Sequence, residues 1–155
     1  MSPNRAAEEP DFEAFVAEVE PRLRRAFVAA YGGERGREAT AEALAWAWEH
    51  WKRVRGMRNA AGYLYRVGQS RTRPRRRALM ELPAPASEPW IEPALPAALL
   101  ALSEGQRTAV VLVHGYGWNL REVAELTGIR RTTVQNHLER GLARLRVALE
   151  TNEHA

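Results

Sequence analysis

The sequence predicts an all-α protein made of two small helical domains joined by a proline-rich linker. Three observations predict it. Apolar residues recur at intervals of three and four from Phe12 to Leu149, with almost no alternating strand pattern. Five prolines fall between Ala78 and Pro96, which forbids a continuous helix there and favours an extended linker. The 155 residues suit one ordinary domain or two small ones. The expected divisions are an N-terminus without regular structure at 1–10, a helical domain at 11–77, the linker at 78–94, a second helical domain at 95–150 and a tail at 151–155. Each domain is near the lower size limit for folding alone, so stabilisation by a partner is expected.

The first helical pattern is Phe12, Phe15, Val16, Val19, Leu23 and Phe27, with Asp11 as its expected N-cap. Pro21 interrupts it, which predicts a kink or two abutting helices. Gly32, Gly33 and Gly36 mark a turn. A second helix is expected from about Arg37 to Trp51, with Leu44, Trp48 and Trp51 as its core face. Trp46 falls off that stripe, as a partner-facing aromatic would. A third covers roughly Ala60 to Arg73, with Tyr63, Leu64 and Val67 as its apolar stripe, and ends at Pro74. Within the linker, Trp90 and Ile91 are apolar and suited to transient docking. Val110 to Val113 is β-branched, but with Leu99 and Leu102 it fits a helix.

Asn119 to Leu149 carries the densest signal. Val123, Ala124 and Leu126 lie at helical spacing, and Gly128 supplies the left-handed conformation of a tight turn. Val134, Leu138, Leu142, Leu145 and Leu149 then form one face of a longer helix. Asn119 with Glu122 forms a capping-box pair. Thr132 with Gln135 forms another, placing the second helix's start near Thr132. The opposite face offers Thr133, Gln135, Asn136, Arg140 and Arg144, groups that read base edges and neutralise phosphates. This is a helix-turn-helix pattern, and it predicts DNA binding.

Charge is distributed unevenly. Residues 1–49 carry ten acids against six bases, 50–80 carry ten bases and no acid, and 81–155 carry nine acids against seven bases. A block of one sign between two acidic segments implies a localised polyanion contact. Lys52 is the one lysine among twenty-three basic residues. Arginine is the better bidentate partner for phosphate and guanine, although a GC-rich genome would produce the same bias. Cysteine is absent, which excludes disulfides and thiolate metal sites. No apolar run reaches membrane-span length, and the N-terminus lacks signal-peptide order, so a soluble cytoplasmic protein is expected. His50, His114, His137 and His154 are scattered without metal spacing. No glycine-rich phosphate loop accompanies them, so neither a cofactor, a metal site nor an enzyme is expected.

The order of parts resembles the extracytoplasmic-function group of bacterial sigma-70 family factors, over Asp11 to Leu149. Three segments carry the resemblance. Glu38-Ala-Thr-Ala-Glu42 followed by Ala47-Trp-Glu-His-Trp-Lys-Arg-Val-Arg55 is similar to the family's polymerase-binding helix. Gly62-Tyr-Leu-Tyr-Arg-Val67, leading into arginines, is similar to the segment before its −10 recognition region. Leu95-Pro-Ala-Ala-Leu99, with Leu102, Gln106-Arg107 and the helix-turn-helix, is similar to the region that reads the −35 element.

The resemblance implies roles residue by residue. Glu38, Glu42, Trp46 and Glu49 would meet core RNA polymerase. Glu38 and Glu42 are one helical turn apart, so both carboxylates share a face. Tyr63 or Tyr65 would stack on an unpaired base of the downstream element, with Arg66, Arg71, Arg73, Arg75, Arg76 and Arg77 on phosphates. Arg130, Arg131, Thr132, Thr133, Gln135, Asn136, His137, Arg140 and Arg144 would serve the upstream element. A good bidentate base contact there discriminates by about 1–3 kcal/mol. The implied partners are core RNA polymerase and promoter DNA, with an anti-sigma protein as a further candidate, and the free chain is expected to be a monomer off the membrane.

Three positions depart from the family pattern. Ala41 replaces a glutamine of the acidic motif, Pro74 is expected to cut the −10 helix short, and Arg130 stands where a serine N-cap is common. A divergent member is therefore expected. Two rivals follow. Thr133-Val-Gln-Asn-His-Leu138 is also similar to the recognition helix of LuxR-type regulators, which would make this a stand-alone, dimeric DNA-binding protein. A sigma-like protein that has lost promoter activity is the other.

Overall fold

In a computed structural model, residues 5–76 and 94–153 are described. Among them every regular element is helical. Residues 78–93 of the expected linker, with Trp90 and Ile91, lie outside the described residues, as does Arg77. The N-terminal half comprises α1 (Arg5–Tyr31), α2 (Gly33–Glu49), the single turn α3 (Trp51–Val54) and α4 (Ala60–Arg76). The C-terminal half comprises α5 (Leu95–Ala101), α6 (Glu104–Val110), a π-helical turn (Val111–Gly115), α7 (Leu120–Thr127) and α8 (Arg131–Glu153). The β-branched run at Val110 is thus helical, as its apolar neighbours predicted, but it widens into a π turn.

Several expected boundaries need correcting. Helix α1 begins at Arg5, so Asp11 is an interior residue and not the N-cap, and 5–10 is helical. The same helix runs through both Pro10 and Pro21 without a break. Proline removes one amide donor, but packing of Leu23, Ala26 and Phe27 below it holds the helix together. Only Gly32 of the expected glycine turn adopts a left-handed backbone (φ 90°); Gly33 and Gly36 are already in α2. Helix α4 includes Pro74 and is described to Arg76, so it does not end at that proline.

Gly36 explains how tightly α1 and α2 pair. A Cβ there would lie 2.5 Å from the backbone of Val28, so only glycine permits this approach. The buried stripe of α2 is accordingly Ala39, Ala43 and Ala47. Leu44 and Trp48 are only partly covered, a departure from the expected bulky face, because close helix contact leaves room for methyl groups alone. Trp51, expected in the core, is buried on α3, where Phe12 and Phe15 approach its ring at 5.2 and 5.1 Å.

Phe27 stands at the centre, fully buried, with Tyr65 stacked on it at 4.8 Å. From there the core crosses into the C-terminal half without interruption, through Ala109, Leu112, Trp118, Val123, Leu126 and Val134. A second cluster, Ala98, Leu102, Val110 and Leu145, ties α5 and α6 to α8. Polar contacts bridge the halves as well. Arg107 donates to the carbonyls of Ala29 and Ala30, Asn59 Nδ2 donates to the Glu125 carbonyl at 2.7 Å, and Arg22 lies over the Trp118 ring at 6.0 Å.

Candidate nucleic-acid and polymerase interfaces

The helix-turn-helix forms where the sequence pattern placed it. The Asn119 side chain accepts from the Glu122 amide at 2.8 Å, and the Glu122 carboxylate accepts from the Asn119 amide at 3.1 Å. Both bonds satisfy donors at the start of α7. Gly128 ends the helix at φ 73°. The second capping pair does not form. Helix α8 starts at Arg131 with Arg130 as the preceding residue, whose carbonyl accepts from the Val134 amide at 2.9 Å. Gln135 donates instead to Glu139 at 3.2 Å, along the helix surface.

Val123, Leu126 and Val134 seat the two helices on the core. That orientation leaves Arg130, Arg131, Thr132, Gln135, Asn136 and Arg140 exposed, with Thr133 half-buried beside them. Two residues expected on this face are elsewhere. His137 turns inward, its ring against Gly105 of α6, because it shares the side of α8 that carries Val134 and Gly141. Arg144 donates to Gln106 Oε1 at 2.8 Å and to the Ala101 carbonyl at 2.9 Å, closing α5 and α6 onto α8. Neither is displayed as a groove-reading side chain.

The basic segment is divided in the same way. Tyr65 is 1% exposed and stacked on Phe27, so its ring offers no face to a base in this arrangement. Tyr63 is half-buried. Its hydroxyl accepts from Arg53 at 3.2 Å and its ring lies 5.4 Å from that of Trp46. Trp46 in turn stacks on His50 at 4.1 Å. The aromatic assigned to polymerase and the aromatic assigned to DNA therefore form one surface, which Arg53 borders.

Arg66 lies over the Gly128 turn, its guanidinium 2.7 Å from where a Cβ on that glycine would stand. Arg71 lines a shallow groove with Arg35, Glu38 and Glu42. Glu38 accepts an ion-pair hydrogen bond from Arg35 at 3.0 Å, and both groups are partly solvated, so the pair adds little stability. Glu49 is exposed at the end of α2, while Arg73, Arg75 and Arg76 occupy the last turns of α4. Among the described residues no three His, Asp or Glu side chains are grouped to hold a metal ion. None of their helices is long and apolar enough to cross a membrane.

Sequence reasoning missed Asn59 and understated Arg107. Asn59 carries a local signal, an Asn directly before a helix, yet its second bond goes to a residue sixty-six positions away. Arg107 looks like one more surface arginine until α1 is packed against it.

Two helices joined at a left-handed glycine, with a polar face on the second, define the C-terminal half as a helix-turn-helix unit of a particular class. Residues 93–145 match the family described as Sigma-70, region 4, so this part of the chain is similar to that family. The larger fold is similar to the sigma factor RpoE, solved in complex with the anti-sigma factor NepR from Bartonella quintana. The TM-score is 0.66 at 22% identity, over 90% of this chain and 97% of that one. At that identity the likeness is one of fold. No curated protein matches the sequence significantly.

Proposed function

We propose that this protein is a sigma factor of the extracytoplasmic-function type, a non-catalytic subunit that binds core RNA polymerase and directs promoter-specific initiation. The observation that carries the reading is the likeness of residues 93–145 to sigma-70 region 4, where Arg130, Arg131, Gln135 and Asn136 are exposed together. The likeness in fold to RpoE over both halves supports it. In this reading α8 enters the major groove of the upstream element, Gln135 and Asn136 contact base edges, and the arginines contact phosphates. The Trp46–Tyr63–Arg53 surface takes an unpaired base or the polymerase, and Glu38, Glu42 and Glu49 face basic polymerase groups. RpoE was crystallised with an anti-sigma protein, and an anti-sigma protein is the corresponding partner proposed here.

Promoter elements centred near −10 and −35 are about 25 base pairs apart, or about 85 Å at 3.4 Å per pair. A compact chain of this length has a radius of gyration of about 15 Å. The two halves therefore have to separate to read both elements, and the packed arrangement is a resting form.

The test is to combine the purified chain with core RNA polymerase and run-off templates from fragmented genomic DNA of its host. Specific transcripts sharing an upstream element are the expected result. Polymerase binding without transcripts would favour a sigma-like protein that has lost promoter activity. Specific duplex binding without polymerase binding would transfer the case to a stand-alone regulator.

A further inference from the structure

We propose that the cleft between the two halves is a binding site for a small, neutral, largely apolar molecule bearing one hydrogen-bonding group, and that its occupancy holds the halves together. The cleft has a volume of about 350 Å³. Tyr65 and Gln69 of α4 form one wall; Thr108 and Ala109 of α6, with Val123 and Val134 of the helix-turn-helix, form the other. Size, apolar lining and position at a domain boundary are those of small-molecule sites.

One polar group in this wall lacks a partner. Thr40, Thr72 and Thr127 each donate to the carbonyl four residues back at 2.7 Å, and Thr151 does so at 2.8 Å. Thr108 makes no such bond. Its residue is 4% exposed, and its Oγ1 is buried without a hydrogen-bond partner. A hydroxyl left unpaired in a protein interior costs stability unless something else satisfies it. The other hydroxyl-bearing side chains in the lining are engaged: Ser103 caps α6 through the Gln106 amide, Thr127 donates to Val123, and Tyr65 has a contact of its own. Thr108 is thus the hydroxyl left to orient a ligand.

Charge narrows the class. Among the described residues lining the cleft none is Lys or Arg, and Glu104 contributes a carboxylate that has a contact of its own. An anion such as a nucleotide would find no counter-charge there. His137, which faces the cleft from α8, closes it beside Gly105. A molecule touching both walls binds the packed arrangement and not the separated one, so it shifts that equilibrium by its differential affinity. The consequence for transcription rests on the sigma-factor reading; the site itself does not.

Indole, a neutral bicycle with one donor, is the probe, and N-methylindole is the same ring without it. Titration of indole into the full chain is expected to move the amide resonances of Tyr65, Thr108 and Val134 saturably and to raise the melting temperature. Thr108→Val keeps the side-chain shape and removes the hydroxyl. It should weaken indole about tenfold, the equivalent of one hydrogen bond, and leave N-methylindole unchanged. The variant should melt at or above the wild-type temperature, because it removes an unpaired polar group. Unmoved cleft resonances at millimolar indole overturn the proposal, as does an equal loss for both probes. No polymerase enters this experiment. A chain that binds indole through Thr108 but yields no run-off transcript would retain the site and lose the sigma-factor reading.

Discussion

The buried guanidinium of Arg107 donates to the carbonyl of Ala30, seventy-seven positions earlier in the chain. Ala30 lies in the last turn of α1, where carbonyls have no helical partner and the helix dipole is negative. The same guanidinium reaches the Ala29 carbonyl at 3.3 Å and the Leu102 carbonyl, at the end of α5, at 3.1 Å. One planar cation therefore closes helix ends from both halves, a geometry that suits the forked guanidinium better than an ammonium.

Arg107→Ala should consequently lower the unfolding free energy by about 3 kcal/mol, since it leaves several buried carbonyls without their donor and opens a cavity where the side chain packed. Arg107→Lys should recover part of that loss. Urea denaturation followed by circular dichroism measures both. Midpoints equal to wild type would mean that apolar contacts alone hold the halves together.

Asn59 separates a local role from a distant one. Its Oδ1 accepts from the Gly62 amide at 3.1 Å, capping α4, while its Nδ2 donates to Glu125 across the interface. Asn59→Asp keeps the acceptor and loses the donor; Asn59→Ala loses both. Each should cost about 1 kcal/mol or more. Hydrogen exchange distinguishes them, because the Gly62 amide should stay protected in the Asp variant and exchange faster in the Ala variant. Similar Gly62 exchange in the two variants would argue against the capping role.

Gly36→Ala tests the α1–α2 contact. Alanine would gain about 1 kcal/mol of helix propensity, but its Cβ would meet backbone that cannot rotate away. A net loss of about 2 kcal/mol is expected. Gly33→Ala is the control, because its Cβ would meet only the Arg37 side chain, at 3.3 Å, and that chain can move. The two variants should shift the thermal midpoint in different directions or by clearly different amounts. A stabilising Gly36→Ala would refute the close approach.

The recognition helix predicts a pattern across variants. Replacing Gln135 and Asn136 with alanine should relax sequence preference and leave the salt dependence of DNA binding nearly intact. Replacing Arg75, Arg76 and Arg77 should flatten the salt slope. His137→Ala should leave sequence preference unchanged, because that ring faces α6. Binding-site selection at several salt concentrations reads all three, and loss of preference in the His137 variant would place that ring in the groove after all.

Local chemistry was legible where neighbours in sequence are neighbours in space. The Asn119–Glu122 box, the left-handed Gly128 and the Val123, Leu126 and Val134 face all depend on spacings of a few residues, which a helix turns directly into geometry. The same logic failed at Pro21 and Pro74. A proline costs a helix one bond and some strain, and at Pro21 the packing of Leu23, Ala26 and Phe27 outweighs both. It failed again on α4, where the stripe drawn through Tyr63, Leu64 and Val67 left out Tyr65, which packing buries against Phe27.

By itself, then, the sequence determined the helical class of the described chain, the helix-turn-helix and the set of polar groups on its outer face. Only the tertiary structure decided which candidates stay available. It turned His137 inward, committed Arg144 to Gln106, placed Arg66 over the Gly128 turn and brought Trp46 to Tyr63. It also gave Arg107 its partners. The physical reason is range: capping and amphipathic patterning act within one or two helical turns, whereas a side chain's final exposure depends on elements packed against it from far along the chain.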